Sequence, residues 1–311
     1  MSDSGKILIV GASNMDMTLS VLRFPEKNES ITDEGGVSYA PGRGGASAAI
    51  AMARLGGNVI FSTRLGQDLY GQKLYNFYKE SGIDTSLVKA DRDFSTGFSV
   101  FVKEADSSLR SVNFPGANEH LTQDAVAEAI SVMPKAVFVN FESGFNLAAK
   151  VIKTAAARRI PVFLDASPAN ANIPLDTLPE IEIFSVTEKS AKRYTGIELS
   201  STQDAMRAAF ALNRKVKAKY IVINEGIKGA LIYDGKRCEL VSPDLFEKAV
   251  DTDASETAFS AALAVEYFSS ADIKSSAKFA LNAANLTSAR HGAVTSVPTR
   301  DELLKYLDNT N

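Results

Sequence analysis

Short, largely apolar runs rich in β-branched residues alternate with longer amphipathic stretches along this chain, and that alternation leaves few folds open. The runs are Ile7 to Val10, Val59 to Thr63, Ala136 to Asn140, Val162 to Asp165, Ile183 to Val186 and Tyr220 to Asn224. Strands buried on both faces read this way, without polar alternation. Between them, Ala46 to Leu55, Gly71 to Ser81, Gln123 to Val132, Leu147 to Arg158, Glu188 to Tyr194 and Gln203 to Arg214 place apolar residues at helical spacing. The repetition predicts βαβ units and hence an α/β fold, a doubly wound parallel sheet flanked by helices. Two segments break the rhythm. Met15 to Ala40 and Thr96 to Asn113 have period-two patterns and no helix, which predicts a small antiparallel β lid formed by about residues 15–40 and 96–113. With no internal repeat, low-complexity tract or Pro/Gly/Ser linker, one domain over residues 1–311 is expected.

Composition narrows the function. A chain of 311 residues with 45% hydrophobic content can bury a large core. Its net charge of −3 comes from interspersed acids and bases with no basic stripe, so neither nucleic acid nor a membrane surface is an expected partner. The residues ahead of Ile7 are polar and no run of about 18 apolar residues occurs, which makes a cytoplasmic location the expectation. Cys238 is the single cysteine, and His120 and His291 are the two histidines. Neither an intrachain disulfide nor a His/Cys zinc site can be assembled from these, and Cys238 reads as a plain strand residue. A small-molecule ligand is the expectation that remains.

Several segments carry the chemistry. Gly11-Ala-Ser-Asn-Met-Asp16 follows the first strand, and Pro41-Gly-Arg-Gly-Gly-Ala-Ser47 opens a helix ending in Ala53-Arg-Leu-Gly56. Then come Leu65-Gly-Gln-Asp-Leu-Tyr-Gly71, Ser95-Thr-Gly97, Pro115-Gly-Ala-Asn118, Glu142, Asp165-Ala-Ser-Pro-Ala169 and Tyr194-Thr-Gly196. Lys228-Gly-Ala230, Ala249-Val-Asp-Thr252 and Gly292-Ala-Val-Thr-Ser-Val-Pro298 complete the series. Each is weak alone; in this order and spacing, over almost the whole length, they resemble the ribokinase (PfkB) family of sugar kinases. A dinucleotide-dependent dehydrogenase is set aside, because Gly11 to Asp16 lacks the glycine-rich dinucleotide turn.

The resemblance implies ATP-dependent phosphoryl transfer to the hydroxyl of a pentose-like sugar, with Mg2+, K+ or Na+ as a monovalent cation, and a homodimer formed through the lid. Such transfer needs a carboxylate to take the hydroxyl proton, backbone N–H groups at a helix N-terminus to hold phosphate charge, and a cation to bridge the phosphates. By resemblance, sugar contacts fall on Asn14, Asp16, Gly42, Arg43, Gly45, Ser47 and Glu142. Nucleotide contacts fall on Thr187, Asn224, Gly226, Gly229 and Asn282, and the monovalent cation on Asp251, Asp253, Thr287, Gly292 and Ser296. Bland readings stand beside these: Asp16 as an exposed lid acid, and Gly226 and Gly229 as ordinary turn glycines.

The catalytic positions depart from the family. Asp251-Thr-Asp-Ala-Ser-Glu-Thr257 aligns with the family's Asp-Thr-x-Ala/Gly-Ala-Gly-Asp, so Thr257 stands where the base should be. Beside Ser255, Glu256 replaces the glycine of the anion hole, adding a Cβ and a negative charge where phosphate should approach. Asp253 to Glu256 fits a capping box with Asp253 as N-cap, which is favoured here over phosphate binding. Thr187-Glu-Lys-Ser190 replaces the family's Asn-x-x-Glu, and Glu188 then reads as a first-turn helix acid. The family's lysine and asparagine become Gly44 and Ser47, with Arg43 one residue away, and Leu281 stands where relatives place Asn or His against adenine. Losing a base costs about 10²- to 10⁴-fold and losing an anion-hole donor about 10²- to 10³-fold. The chain is therefore expected to be a weak or inactive kinase, the alternative being a non-catalytic sugar-binding or protein-interaction pseudokinase.

Overall fold

Both periodicities become structure in the computed structural model, which describes residues 5–308 except 33–34, 43, 107 and 245–246. Arg43, one of the sugar-site candidates, therefore lies outside the described residues. In chain order the elements are β1 (Ile7–Val10), β2 (Asn14–Val21), β3 (Val37–Gly42), α1 (Gly44–Arg54), β4 (Val59–Gly66), α2 (Leu69–Glu80) and β5 (Val88–Asp91). Next come β6 (Gly97–Glu104), β7 (Leu109–Phe114), α3 (Gln123–Ser131), β8 (Ala136–Asn140), α4 (Phe145–Ala157), β9 (Val162–Asp165), β10 (Ile181–Thr187) and α5 (Glu188–Thr195). The remainder is α6 (Thr202–Asn213), β11 (Ala218–Asn224), β12 (Ala230–Tyr233), β13 (Cys238–Val241), α7 (Ser255–Ser270), α8 (Ile273–Ser288) and α9 (Arg300–Asp308).

The larger sheet has nine strands in the order β13-β12-β11-β10-β9-β8-β1-β4-β5. It is parallel from β11 to β5, and β12 and β13 add antiparallel at one edge. Ile9, Phe138, Phe163, Ile183 and Val222 face one core with α1, α7 and α8. Leu8, Val137, Val139, Leu164 and Phe184 face the other, with α3, α4 and α6. Side chains on a strand alternate between faces. Asn140, Asp165, Ser185 and Asn224, each two residues beyond Phe138, Phe163, Ile183 and Val222, therefore point toward the α1 and α7 side at the sheet's carboxyl edge. Among the described residues no helix is long and apolar enough to cross a membrane.

The smaller sheet has the order β3-β2-β6-β7, antiparallel in its outer pairs and parallel in the central β2–β6 pair. It occupies the segments expected of the lid, and its register sorts residue types by face. Met15, Met17 and Leu19 align with Pro41, Tyr39 and Val37 and with Phe98, Val100 and Val102, while Phe114 and Val112 lie opposite Phe98 and Val100. The reverse face carries Asn14, Asp16, Thr18, Ser38, Ser99 and Asn113.

Candidate functional site

At the carboxyl edge of β8, β9, β10 and β11 lies a small cavity of about 140 Å³. Ligands collect at this edge of open α/β sheets. Its lining includes Asn140, Asp165, Ser185, Thr187 and Asn224 from the strands, Gly44 and Ala48 from α1, Glu142, and Glu256, Thr257 and Ser260 from α7. Strand register fixes the row: Asn140 pairs with Asp165, Asp165 with Ser185, and Thr187 with Asn224.

The first turn of α1 forms one wall. The Gly44 N–H donates to the Glu142 carboxylate, and the Ala46 N–H donates to the Ala12 carbonyl at 3.0 Å. A Cβ on Gly45 would come within 2.7 Å of the Ala12 carbonyl oxygen, so the close approach of helix to loop requires glycine there. A Cβ on Gly44 would sit 2.3 Å from Asn140 Nδ2, so a side chain in that place would have to displace Asn140.

Asp165 was not among the expected site residues. Burial pushes its carboxyl up to about 6, the charges of Glu256 and Glu142 add to the rise, and hydrogen bonds from Ser260 and Ser167 oppose it. The signal was present in the sequence: an acid two residues after an inward-facing Phe163, at the end of a parallel strand.

The capping box does not form. α7 begins at Ser255 after Ala254, whose backbone is already helical and which offers no side-chain cap. A capping side chain needs an extended N-cap residue, and the Asp253 backbone N–H instead donates to Asp251 Oδ1 at 3.1 Å. Ser255 donates its hydroxyl to the Thr252 carbonyl at 2.7 Å. Glu256 is free of the box and exposed along the cleft, where desolvation by the surrounding walls still raises its carboxyl and Lys189 opposes the rise.

A larger, open cleft of about 690 Å³ adjoins the cavity, and Thr187, Asn224 and Glu256 line both. Asn224 accepts the Gly226 N–H at 2.9 Å, and Gly226 and Gly229 take φ of 63° and 117° in the following turn. Thr187 caps α5 by accepting the Ser190 N–H at 3.1 Å, and Glu188 pairs with Lys228 at 3.2 Å. Leu281 lines the cleft, but Asn282 is rotated about 100° around α8 from it. The Asn282 side chain accepts the Asp244 N–H at 2.8 Å and donates to Asp244 Oδ2 at 3.2 Å, away from the cleft.

The remaining sugar candidates, Asn14, Asp16 and Gly42 in the smaller sheet and Ser47 on α1, are not among the residues lining the cavity. Asn14 donates to Ser99 Oγ at 2.9 Å and accepts from Asn118 Nδ2 at 2.7 Å. Asp16 packs on Gly42, where a Cβ would fall 1.6 Å from Asp16 Oδ2. Ser47 lies on α1, partly exposed.

Of the cation candidates, Asp251 and Gly292 come together, the Gly292 N–H donating to Asp251 Oδ2 at 3.3 Å. Thr287 and Ser296 donate their hydroxyls to the Ala283 and Ala293 carbonyls at 2.7 and 2.8 Å. Among the described residues no group of three or more His, Cys, Asp or Glu could hold a metal. Thr187 and Ser190, where the resemblance puts Asn and Glu, are bonded to each other and bring no carboxylate to that position.

Comparison with known proteins agrees with this geometry. Residues 4–300 match the model of the pfkB family carbohydrate kinases. The chain is 29% identical to the ribokinase of Haemophilus influenzae, covering 97% of this chain and 98% of that protein. It is 28% identical to the ribokinase of Bacillus subtilis, covering 97% and 99%. The fold matches Arabidopsis thaliana ribokinase complexed with ribose and ATP at a TM-score of 0.86 and 24% identity, over 97% of this chain and 98% of that one. Thermotoga maritima ribokinase matches at a TM-score of 0.82 and 25% identity, over 98% and 100%. A family match across nearly the whole length, on a ribokinase-like α/β fold with its strand-edge cavity, places this chain in the pfkB family of carbohydrate kinases.

Proposed function

We propose that this chain binds a small pentose-like polyol and transfers the γ-phosphoryl group of ATP to one of its hydroxyls slowly. The observation that carries this reading is that the strand-edge cavity adjoins the larger cleft through Thr187, Asn224 and Glu256. A polyol in the first and a nucleoside triphosphate in the second would meet at the N-terminus of α7, where helix amides favour phosphate. Turnover is slow on this reading because Thr257 supplies no carboxylate, Glu256 sets a negative charge at the meeting point, and Thr187 and Ser190 stand where the resemblance puts the Asn and Glu that position Mg2+. The silent alternative, a sugar-binding pseudokinase, is favoured by Thr187 and Ser190, whose side chains are engaged with each other. A homodimer through the apolar face of the smaller sheet accompanies either reading.

Phosphorus NMR over long incubations with ATP, Mg2+, K+ and a panel of ribose, deoxyribose, fructose and nucleosides tests the proposal. Slow, protein-dependent sugar phosphate, accelerated roughly 10²-fold or more by Thr257→Asp, is the expected result. Binding of a polyol without product in either form would select the silent alternative.

A further inference from the structure

The carboxylates around the strand-edge cavity differ in what engages them. Glu142 accepts the Gly44 N–H, and Glu256 extends into the larger cleft. Asp165 lines the same cavity, in register with Asn140 and Ser185, and Ser260 of α7 lines it too. Ser260 is three residues beyond Thr257, so the two share a helix face. The Asp165 carboxylate therefore shares one small cavity with the side chain at 257 and the α7 face that carries it.

We propose that Asp165 is the catalytic proton acceptor of this chain, taking from the sheet the role that Thr257 cannot fill from the helix, an assignment that rests on the phosphotransferase reading above. In the step, the sugar O–H bond breaks and its proton passes to an Asp165 carboxylate oxygen. The freed electron pair forms the bond to the γ-phosphorus of the nucleoside triphosphate. The β–γ bridging P–O bond breaks, and its electron pair leaves on the nucleoside diphosphate.

The protonation behaviour suits the task. A carboxyl pushed up to about 6 is ionised at pH 7.5 and more basic than an ordinary aspartate, which is the compromise general-base catalysis favours. The titratable groups that act on it are Glu256 from α7 and Glu142 beyond β8, with Tyr194 of α5 also coupled to it and Lys189 offsetting Glu256.

Single-turnover phosphoryl transfer from ATP to ribose, measured by phosphorus NMR at high protein concentration from pH 5 to 9, tests the assignment in wild type, Asp165→Asn, Thr257→Asp and the double variant. The expected result is a loss of about 10²-fold or more in Asp165→Asn, disappearance of the acid limb near pH 6, and recovery when Thr257→Asp is added. Thermal melts of Asp165→Asn separate lost chemistry from lost folding. Wild-type transfer that Asp165→Asn leaves unchanged overturns the assignment while the phosphotransferase reading stands. Activity in Thr257→Asp alone, with wild type silent, also overturns it. Silence in both wild type and Thr257→Asp sinks the phosphotransferase reading and the assignment with it.

Discussion

Asp165 sets function against stability at a single residue. Its carboxyl rises from 3.8 to about 6, so the folded protein holds that proton more tightly than the unfolded chain does. The sign follows: stability falls as pH rises from about 4 through about 6, and above that the full cost, about 3 kcal/mol, is present. Asp165→Asn keeps the shape while removing the charge. It should raise Tm by several degrees at pH 7.5 and by nothing below pH 4, as read by calorimetry across that range. Glu256 poses a different conflict, since it lines both cavities and, on the proposed reading, sets an acid where phosphate would pass. Glu256→Gln should tighten ATP binding about tenfold, or roughly 1.4 kcal/mol, at pH 8 by calorimetric titration. The difference from wild type should shrink toward acid pH as the glutamate takes up its proton. These two residues mark unequal legibility. The change at 256 is visible against the family pattern, whereas Asp165 becomes conspicuous only when strand register sets it beside Asn140, Ser185 and the Ser260 turn.

At the scale of elements, what was legible follows from burial. The six apolar runs became β1, β4, β8, β9, β10 and β11 because strands covered on both faces are apolar throughout, and β4 runs to Gly66, beyond the expected Thr63. α7 left no helical periodicity to find, since Ala258 to Val265 is buried without interruption and no polar stripe interrupts the sequence. The start of α7 departs from the sequence expectation for a related reason: Asp253-Ala-Ser-Glu256 has the composition of a capping box, but Ala254 already has helical backbone angles, so the capping register is lost. β12 and β13 are short and lie at the edge, where β13 is only partly covered. One contact between elements is unforgiving. Gly45→Ala would press a methyl group into the Gly11 and Ala12 backbone at 2.7 Å and should destabilise the protein by about 1–3 kcal/mol. Urea denaturation would show it as a lower midpoint with an unchanged slope.

For the whole molecule, the two sheets divide the labour. The nine-stranded sheet supplies the cavity and a wall of the larger cleft, and the four-stranded sheet carries Asn14 and Asp16. The apolar face of the smaller sheet leaves Val37, Tyr39, Val112 and Phe114 more than half exposed, at 57, 54, 57 and 54%. An exposed apolar face of this kind marks an association surface. Light scattering after gel filtration should therefore report a dimer, and Val112→Asp should shift it to monomer at equal concentration without lowering Tm appreciably. A Val112→Asp protein that elutes with wild type would remove this face from the dimer.

The register of β2 has a genetic corollary. Met15, Met17 and Leu19 point one way and Asn14, Asp16 and Thr18 the other, with β3 and β6 matched to them pair by pair. Point substitutions can reach either set alone, but gaining or losing one codon inside β2 exchanges the sets downstream of the change. In a library of variants, this strand should accept many replacements on either side and almost no change of length, because a single frame of side chains serves both surfaces at once.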